Sequence, residues 1–212
     1  MSPGIAVFGG TFDPVHEGHL STADALLGVL PIEEVRMVPS FVPPHRAMPA
    51  SSALHRKTML ELALDGRSRL RIDTRELTRE GKSFTYDTLA SIRNEVGAAT
   101  PVFFVMGMDA FITLPEWHRW EEIAALAHIV VVARPGYEKD IPASFGEWLR
   151  DKVVDSVESL VGMASGKVIF LSLRDIDLSS TKIREQLIRN KDPKGLSPNV
   201  KAYIKQERLY AE

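Results

Sequence analysis

Short apolar runs recur along the chain, and segments with a helical period lie between them. Runs of strand type occupy residues 5–8, 35–38, 70–72, 102–106, 128–133 and 168–171. Apolar side chains with helical spacing stand at Leu20, Ala23, Leu27 and Leu30, and again at Leu89, Ile92 and Val96. Strands that alternate with helices predict right-handed crossovers and therefore a doubly wound, mostly parallel α/β sheet. Because ligands of such sheets bind beyond the carboxyl ends of the strands, the motifs that follow strands matter most.

The length of 212 residues fits one α/β domain and is enough to bury a substantial core. We expect this single domain to span residues 1–212, with a helical C-terminal part from about residue 179. Two segments interrupt the alternation of strands and helices. One is proline-rich, at residues 39–49, and the other, at residues 135–166, is predicted to be a loop with an inserted helix.

Composition narrows the classes of function. The 26 Lys and Arg residues against 28 Asp and Glu leave a net charge of −2, so no nucleic-acid partner is expected and any anion site must be local. The lack of cysteine excludes disulfides, thiolate metal sites and cysteine catalysis. The N-terminus is too briefly apolar for a signal peptide, and no run is long enough to cross a bilayer. We therefore expect a cytoplasmic protein without a membrane partner.

A glycine-rich motif with two histidines, GGTFDPVHEGH at residues 9–19, directly follows the first predicted strand. It is neither the Rossmann G-x-G-x-x-G pattern nor a P-loop. If a helix begins near residue 16, His16 and His19 share a face beside free backbone N–H groups, which suits a polyphosphate. The alternative is a glycine turn whose histidines merely cap or pack. Metal ligation is not expected, because the spacing is not H-E-x-x-H and no third ligand is evident.

A second motif, LSSTKIR at residues 178–184, follows the last predicted strand and begins a helix. Ser179 or Ser180 is a suitable N-cap. Arg184 lies one turn beyond Ser180, and because helical side chains lean towards the N-terminus, its guanidinium can reach an anion there. From these residues alone, a phosphate site and a plain capped helix with a solvated arginine remain equally open.

Two further segments should lie at the same edge of the sheet. SFTYDTL at residues 83–89 precedes a helix, and residues 107–120 follow a strand. In the second segment, Trp117, Trp120, Ala124 and Ala127 fit one helical stripe, which favours a core position for Trp117. Asp109, considered by itself, is predicted to be a helix N-cap.

The motifs at residues 9–19 and 178–184 resemble those of the H-x-G-H nucleotidyltransferase superfamily. The first of them is most similar to the motif of bacterial nicotinate-nucleotide adenylyltransferases. The resemblance runs from Ile5 to Tyr210 and implies a Rossmann-like nucleotidyltransferase fold. It implies that His16, His19 and Arg184 are catalytic and stabilise charge on the ATP phosphates. It also implies that ATP contacts Gly9, Gly10, Thr11, Phe12, Ser180 and Thr181.

The resemblance further implies an acceptor site for nicotinate mononucleotide. There Trp117 stacks on the pyridine ring, while Thr85 and the backbone amide of His118 hold its carboxylate. Gly107 and Asp109 match positions that line the nucleotide site. His45 and Arg46 of PPHR match a phosphate-contacting P-P-H-K segment, and Arg134 matches the arginine of an R-P-G motif. Magnesium carried with ATP is the expected cofactor.

Rival functions remain at this point. A relative of the same superfamily could use nicotinamide mononucleotide or phosphopantetheine as acceptor, although the Thr85 and Trp117 segments favour a pyridine ring. A non-catalytic nucleotide sensor would keep the pocket without releasing pyrophosphate. A class I synthetase fragment is disfavoured, since there is no basic surface for tRNA. ATP and nicotinate mononucleotide are thus the expected partners, and a homo-oligomer is compatible with the sequence.

Overall fold

The structure of the chain is a computed structural model that describes residues 3–41, 48–79, 83–133, 143–173 and 178–211. In these ranges the strands are β1 (Gly4–Gly10), β2 (Ile32–Pro39), β3 (Leu70–Ile72), β4 (Val102–Gly107), β5 (His128–Ala133), β6 (Val153–Val154) and β7 (Val168–Ser172). They form one sheet in the order β3-β2-β1-β4-β5-β7-β6, and each pairing is parallel. The predicted doubly wound α/β fold is confirmed.

Helices follow most of the strands. They are α1 (Glu17–Val29), α2 (Ala53–Leu64), α3 (Thr85–Val96), α4 (Met108–Ile112), α5 (Trp120–Leu126), α6 (Ala143–Leu149), α7 (Ser180–Ile188) and α8 (Pro198–Gln206), with single 3₁₀ turns at Leu114–Glu116 and Val157–Leu160. No helix in the described ranges is long and apolar enough to cross a membrane.

The core lies on both faces of the sheet. Along β1, Ala6 belongs to one buried cluster while Ile5 and Val7 belong to the other, and β4 divides its apolar residues in the same way. Because neighbouring residues of a strand point to opposite faces, a strand covered on both sides is apolar at every position. This is why the central strands are the continuous apolar runs of the sequence.

Three details differ from the sequence predictions. The sequence spacing placed Leu27 on the buried face of α1, but Leu26 is buried there, and Leu27 is only partly buried. The inserted segment contains the predicted helix, α6, but also the unpredicted edge strand β6 and a 3₁₀ turn. The supposed stripe from Trp117 to Ala127 is not one helix, since α5 begins only at Trp120 and Arg119 before it has a left-handed backbone, with φ 53°.

Candidate active site

A cavity of about 600 Å³ opens at the carboxyl ends of β1 and β4, at the edge where the parallel sheet predicts a ligand. Most of the described candidate residues line it: Gly9, Gly10, Thr11, Phe12, His19, Thr85, Gly107, Asp109, Trp117, His118 and Ser180. His16, Thr181 and Arg184 are not among the lining residues. His45, Arg46 and Arg134 fall outside the described residues, so their predicted phosphate contacts stay predictions.

The two histidines of the first motif form a stacked pair at the start of α1. His16 is the N-cap residue, and its ring lies 3.8 Å from that of His19, centroid to centroid. The backbone N–H of His16 donates to Nδ1 of His19 at 3.2 Å. The neutral His19 ring therefore carries its proton on Nε2. Because His19 lines the cavity, that N–H is the donor it can offer to a ligand.

Both imidazoles are neutral at pH 7. Burial lowers the pKa of His16 to about 4. Burial also lowers the pKa of His19 well below its usual value, and the charge of His16 lowers it further. His19 thus acts in the free protein as a hydrogen-bond donor and not as a cation.

Gly18 keeps the space that the His16 ring occupies. A Cβ atom at position 18 would lie 2.9 Å from Nδ1 of His16, closer than real side chains approach. A side chain there would displace the ring that stacks on His19. The glycine between the two histidines is therefore needed for their geometry.

The start of α7 is bonded to the loop between β1 and α1. The Ser180 hydroxyl donates to the backbone oxygen of Pro14 at 3.0 Å. Nη1 of Arg184 donates to the backbone oxygen of Asp13 at 2.6 Å, and its Nη2 donates to the hydroxyl of Thr181 at 3.3 Å. The alternative of a solvated arginine is therefore wrong. Of the two predicted N-cap candidates, Ser179 holds that position, although its side chain makes no capping hydrogen bond.

Away from the two histidines, the cavity is also lined by aromatic residues. Trp117 is partly packed against the core, edge-on to Phe104 at 6.3 Å, and also lines the cavity. The His118 ring lies 4.6 Å from that of Phe84, the N-cap residue of α3. Thr85 is the first residue of α3, so the positive end of that helix faces this region. A flat ring bearing an anionic group matches these surroundings.

Asp109 occupies the first turn of α4, so the N-cap interpretation is wrong; Gly107 holds that position. A Cβ atom on residue 107 would lie 2.7 Å from Oδ1 of Asp109. The carboxylate therefore folds back over the end of β4 and needs glycine beneath it.

Two polar residues at the site are not marked by any sequence motif: Arg56, which is buried, and Glu76, which is partly buried. Arg56 of α2 donates to the backbone oxygens of Thr11 and Phe41, at 2.8 and 3.0 Å. Glu76 lines the cavity and accepts the hydroxyl of Thr88 at 2.8 Å, and burial raises its pKa. Each acts through a partner distant in sequence, so no local motif marks it.

Acid should destabilise the fold through its buried histidines. The unfolded His16 titrates near 6.5 and the folded one near 4, so between these values the unfolded chain binds more protons and stability falls as pH falls. From pH 7 to pH 5 the loss attributable to His16 is about 2 kcal/mol. Urea unfolding of the wild type and of His16→Asn at both pH values measures it. The prediction fails if the two proteins lose equal stability on acidification.

A known family matches most of the chain. The family described as cytidylyltransferase-like matches residues 7–186, from β1 into α7, and this match defines the class. A probable nicotinate-nucleotide adenylyltransferase of Hahella chejuensis is 46% identical over 97% of this chain and 95% of its own length. One from Cellvibrio japonicus is 42% identical over 99% of this chain and all of its own length, 100%. The chain therefore belongs to the nicotinate-nucleotide adenylyltransferases of the cytidylyltransferase-like family.

Solved structures agree on the fold. The nicotinic acid mononucleotide adenylyltransferase of Plasmodium falciparum, in complex with NaAD, superposes with a TM-score of 0.73. The two chains are 19% identical, and the match covers 99% of this chain and 98% of the other. A nicotinate-nucleotide adenylyltransferase described as putative, from Vibrio parahaemolyticus, gives a TM-score of 0.65 at 20% identity, over 99% of this chain and 96% of that one.

Proposed function

We propose that the chain transfers the adenylyl group of ATP to nicotinate mononucleotide, forming deamido-NAD and pyrophosphate. One observation carries this proposal: a single cavity is lined by His19, with its donor Nε2–H, by Ser180 at the N-terminus of α7, and by Thr85 and Trp117. His19 and Ser180 form its first end, and Thr85 and Trp117 form its second. The first end suits phosphates and the second suits a pyridine carboxylate. The names of the most similar relatives support the same activity.

The chemistry needs no nucleophile from the protein. The 5′-phosphate of the acceptor is ionised at neutral pH, and one of its oxygens attacks the α-phosphorus of ATP in line. The bond from that phosphorus to the oxygen bridging to the β-phosphate breaks, and pyrophosphate leaves with the electron pair. Catalysis then consists of positioning and of stabilising phosphate charge. His19, the N-terminus of α1 and the start of α7 would supply that stabilisation.

Magnesium would enter as part of the ATP substrate. Within the described residues no three His, Asp or Glu side chains cluster in a way that could hold a metal ion. Such surroundings fit an ion that is held mainly by phosphate oxygens and water, and Asp109 is one of the carboxylates that line the cavity. Bound there, magnesium would neutralise phosphate charge.

A preference for the acid over the amide is supported by the start of α3. Thr85 lines the cavity at the positive end of a 12-residue helix and would offer its hydroxyl, and the backbone amide of His118, another lining residue, would be a second donor. A carboxylate accepts from both donors and gains from the helix dipole, whereas a carboxamide presents one oxygen and an N–H₂ group that repels donors.

The test is a pyrophosphate-release assay with nicotinate and nicotinamide mononucleotides. We expect kcat/KM to favour the nicotinate form roughly a hundredfold or more, as for sites that pair a polar group specifically. Thr85→Val should reduce this ratio at least about tenfold, the equivalent of one lost hydrogen bond. Thr100→Val is the matched control, because its hydroxyl caps the backbone of Val96, and Thr100 is not part of the cavity lining.

The other outcomes separate the rival functions. Preference for nicotinamide mononucleotide would overturn the named acceptor but keep the reaction. ATP binding without release of pyrophosphate in the presence of either acceptor would favour the nucleotide sensor.

A further inference from the structure

One buried carboxylate accepts three hydrogen bonds from two separate parts of the chain. Asp13, in the loop between β1 and α1, is 2% exposed. Its Oδ2 accepts the backbone N–H of Ala50 at 2.7 Å, and its Oδ1 accepts the hydroxyls of Ser51 and Tyr210. The Tyr210 hydroxyl lies 2.6 Å from that oxygen. The segment after α8 thus reaches a residue 197 positions earlier in the chain.

The same loop joins the two phosphate motifs. The backbone oxygen of Asp13 accepts Arg184, and that of Pro14 accepts Ser180. Two residues further on, the backbone N–H of His16 fixes the ring of His19. A shift of the Asp13 carboxylate would therefore move the contacts on both sides of the ATP end.

The backbone after α8 places the Tyr210 hydroxyl against Asp13. Arg208 and Tyr210 both have left-handed backbones, with φ of 51° and 61°, which residues other than glycine seldom adopt. The Tyr210 side chain packs partly against the core. Burial, together with Asp13, raises the pKa of Tyr210, so its hydroxyl keeps its proton and remains a donor.

We propose that Tyr210 is a positioning residue for adenylyl transfer: by holding Asp13 it fixes the loop that carries His16 and receives Arg184 and Ser180. This role rests on the proposed function. It concerns the ATP end of the cavity, whereas the acceptor residues Thr85 and Trp117 lie outside the network. The hydroxyl of Tyr210 should therefore affect ATP handling and leave the acceptor almost untouched.

The chain offers a closely matched control for Tyr210→Phe. Tyr203, in α8, also donates or accepts one hydrogen bond through its hydroxyl, with Nδ1 of His55 at 2.8 Å, but this pair links α8 to α2 away from the loop. We expect Tyr210→Phe to lower kcat about tenfold, because small displacements of positioning groups strongly reduce the rate of the chemical step. The KM for nicotinate mononucleotide should stay within about twofold, since no acceptor contact changes. Tyr203→Phe should leave kcat within about twofold of wild type.

A binding measurement makes the test independent of turnover. Calorimetry with α,β-methylene-ATP and magnesium should show about fivefold weaker binding to Tyr210→Phe and unchanged binding to Tyr203→Phe. Equal kcat and equal analogue affinity for the two variants would overturn the positioning role. If the wild-type chain binds the analogue but uses neither pyridine mononucleotide as a substrate, the proposed function is wrong. In that case the comparison of analogue affinities still tests the positioning role of Tyr210.

Ser51→Ala provides a second test in case Tyr210→Phe does not fold. It removes another donor from Oδ1 of Asp13 and keeps Tyr210, although it also removes the contact of 3.2 Å between the Ser51 and Tyr210 hydroxyls. If Tyr210→Phe loses its native circular dichroism, Ser51→Ala should show the same fall in kcat with an unchanged KM for nicotinate mononucleotide. Wild-type kcat in Ser51→Ala would then count against the proposal.

Discussion

Replacing His19 with alanine should lower kcat at least a hundredfold. The neutral ring offers one N–H donor to the cavity, oriented by the hydrogen bond from the His16 backbone to Nδ1. Removing a preorganised donor to developing charge typically raises the barrier by about 3–4 kcal/mol, and about 1.4 kcal/mol corresponds to tenfold in rate. A coupled pyrophosphate assay with saturating ATP and nicotinate mononucleotide measures the effect.

The matched control for this variant is His55→Ala. His55 is also an imidazole with one side-chain hydrogen bond, to Tyr203, but it lies in α2 and does not line the cavity. It should keep kcat within about threefold of the wild type. If a folded His19→Ala variant turns over at a near-normal rate, the proposed role of the histidine pair is wrong.

Parts of the site that are contiguous in sequence were predictable. The backbone contact between His16 and His19 spans three residues, and it depends only on a helix beginning where the motif places it. The partners of Asp13 could not be found in this way. Tyr210 is 197 residues away and Ser51 is 38, so only the folded chain brings them together. Asp13 stood within the motif, but nothing local marks it as an acceptor of three donors.

Predictability of the fold depended on how fully each element is buried. Strands covered on both faces are continuous apolar runs, whereas β6 is a two-residue edge strand with no such run. Helix α2 has no clean apolar period, because the buried Arg56 occupies a core-facing position before Met59 and Leu60. Nη1 and Nη2 of Arg56 donate to the backbone oxygens of Thr11 and Phe41, which are distant in sequence, so the sequence does not reveal these contacts.

The mistaken stripe from Trp117 to Ala127 has a specific cause. Arg119 adopts a left-handed backbone without being glycine or asparagine, so no residue type signals that the helical pattern breaks. Its side chain lies over the Tyr86 ring at 3.6 Å and pairs with Glu122. These contacts support the bend that turns Trp117 towards the cavity.

Arg93, near the end of α3, joins three parts of the fold through backbone oxygens. Its guanidinium donates to Leu126 at the end of α5, to Gly97 and Thr100 before β4, and to Ala164 before β7. The Ala164 oxygen also accepts the backbone N–H of Val102 at 3.1 Å, so the oxygens of Leu126, Gly97 and Thr100 depend more on Arg93. A fork with five N–H donors suits such a set, and no other side chain can replace it.

Arg93→Met should therefore lower the free energy of unfolding by about 3 kcal/mol, because several carbonyls lose their partner while the methionine retains most of the apolar stem. Urea unfolding at pH 7, followed by circular dichroism, measures this loss. Arg150→Met is the control, since Arg150 is exposed in the turn after α6, and a surface change of that kind shifts stability by about 0.5 kcal/mol or less. Equal unfolding midpoints for the two variants would show that the carbonyls of α5 and of the two loops are satisfied equally well by water.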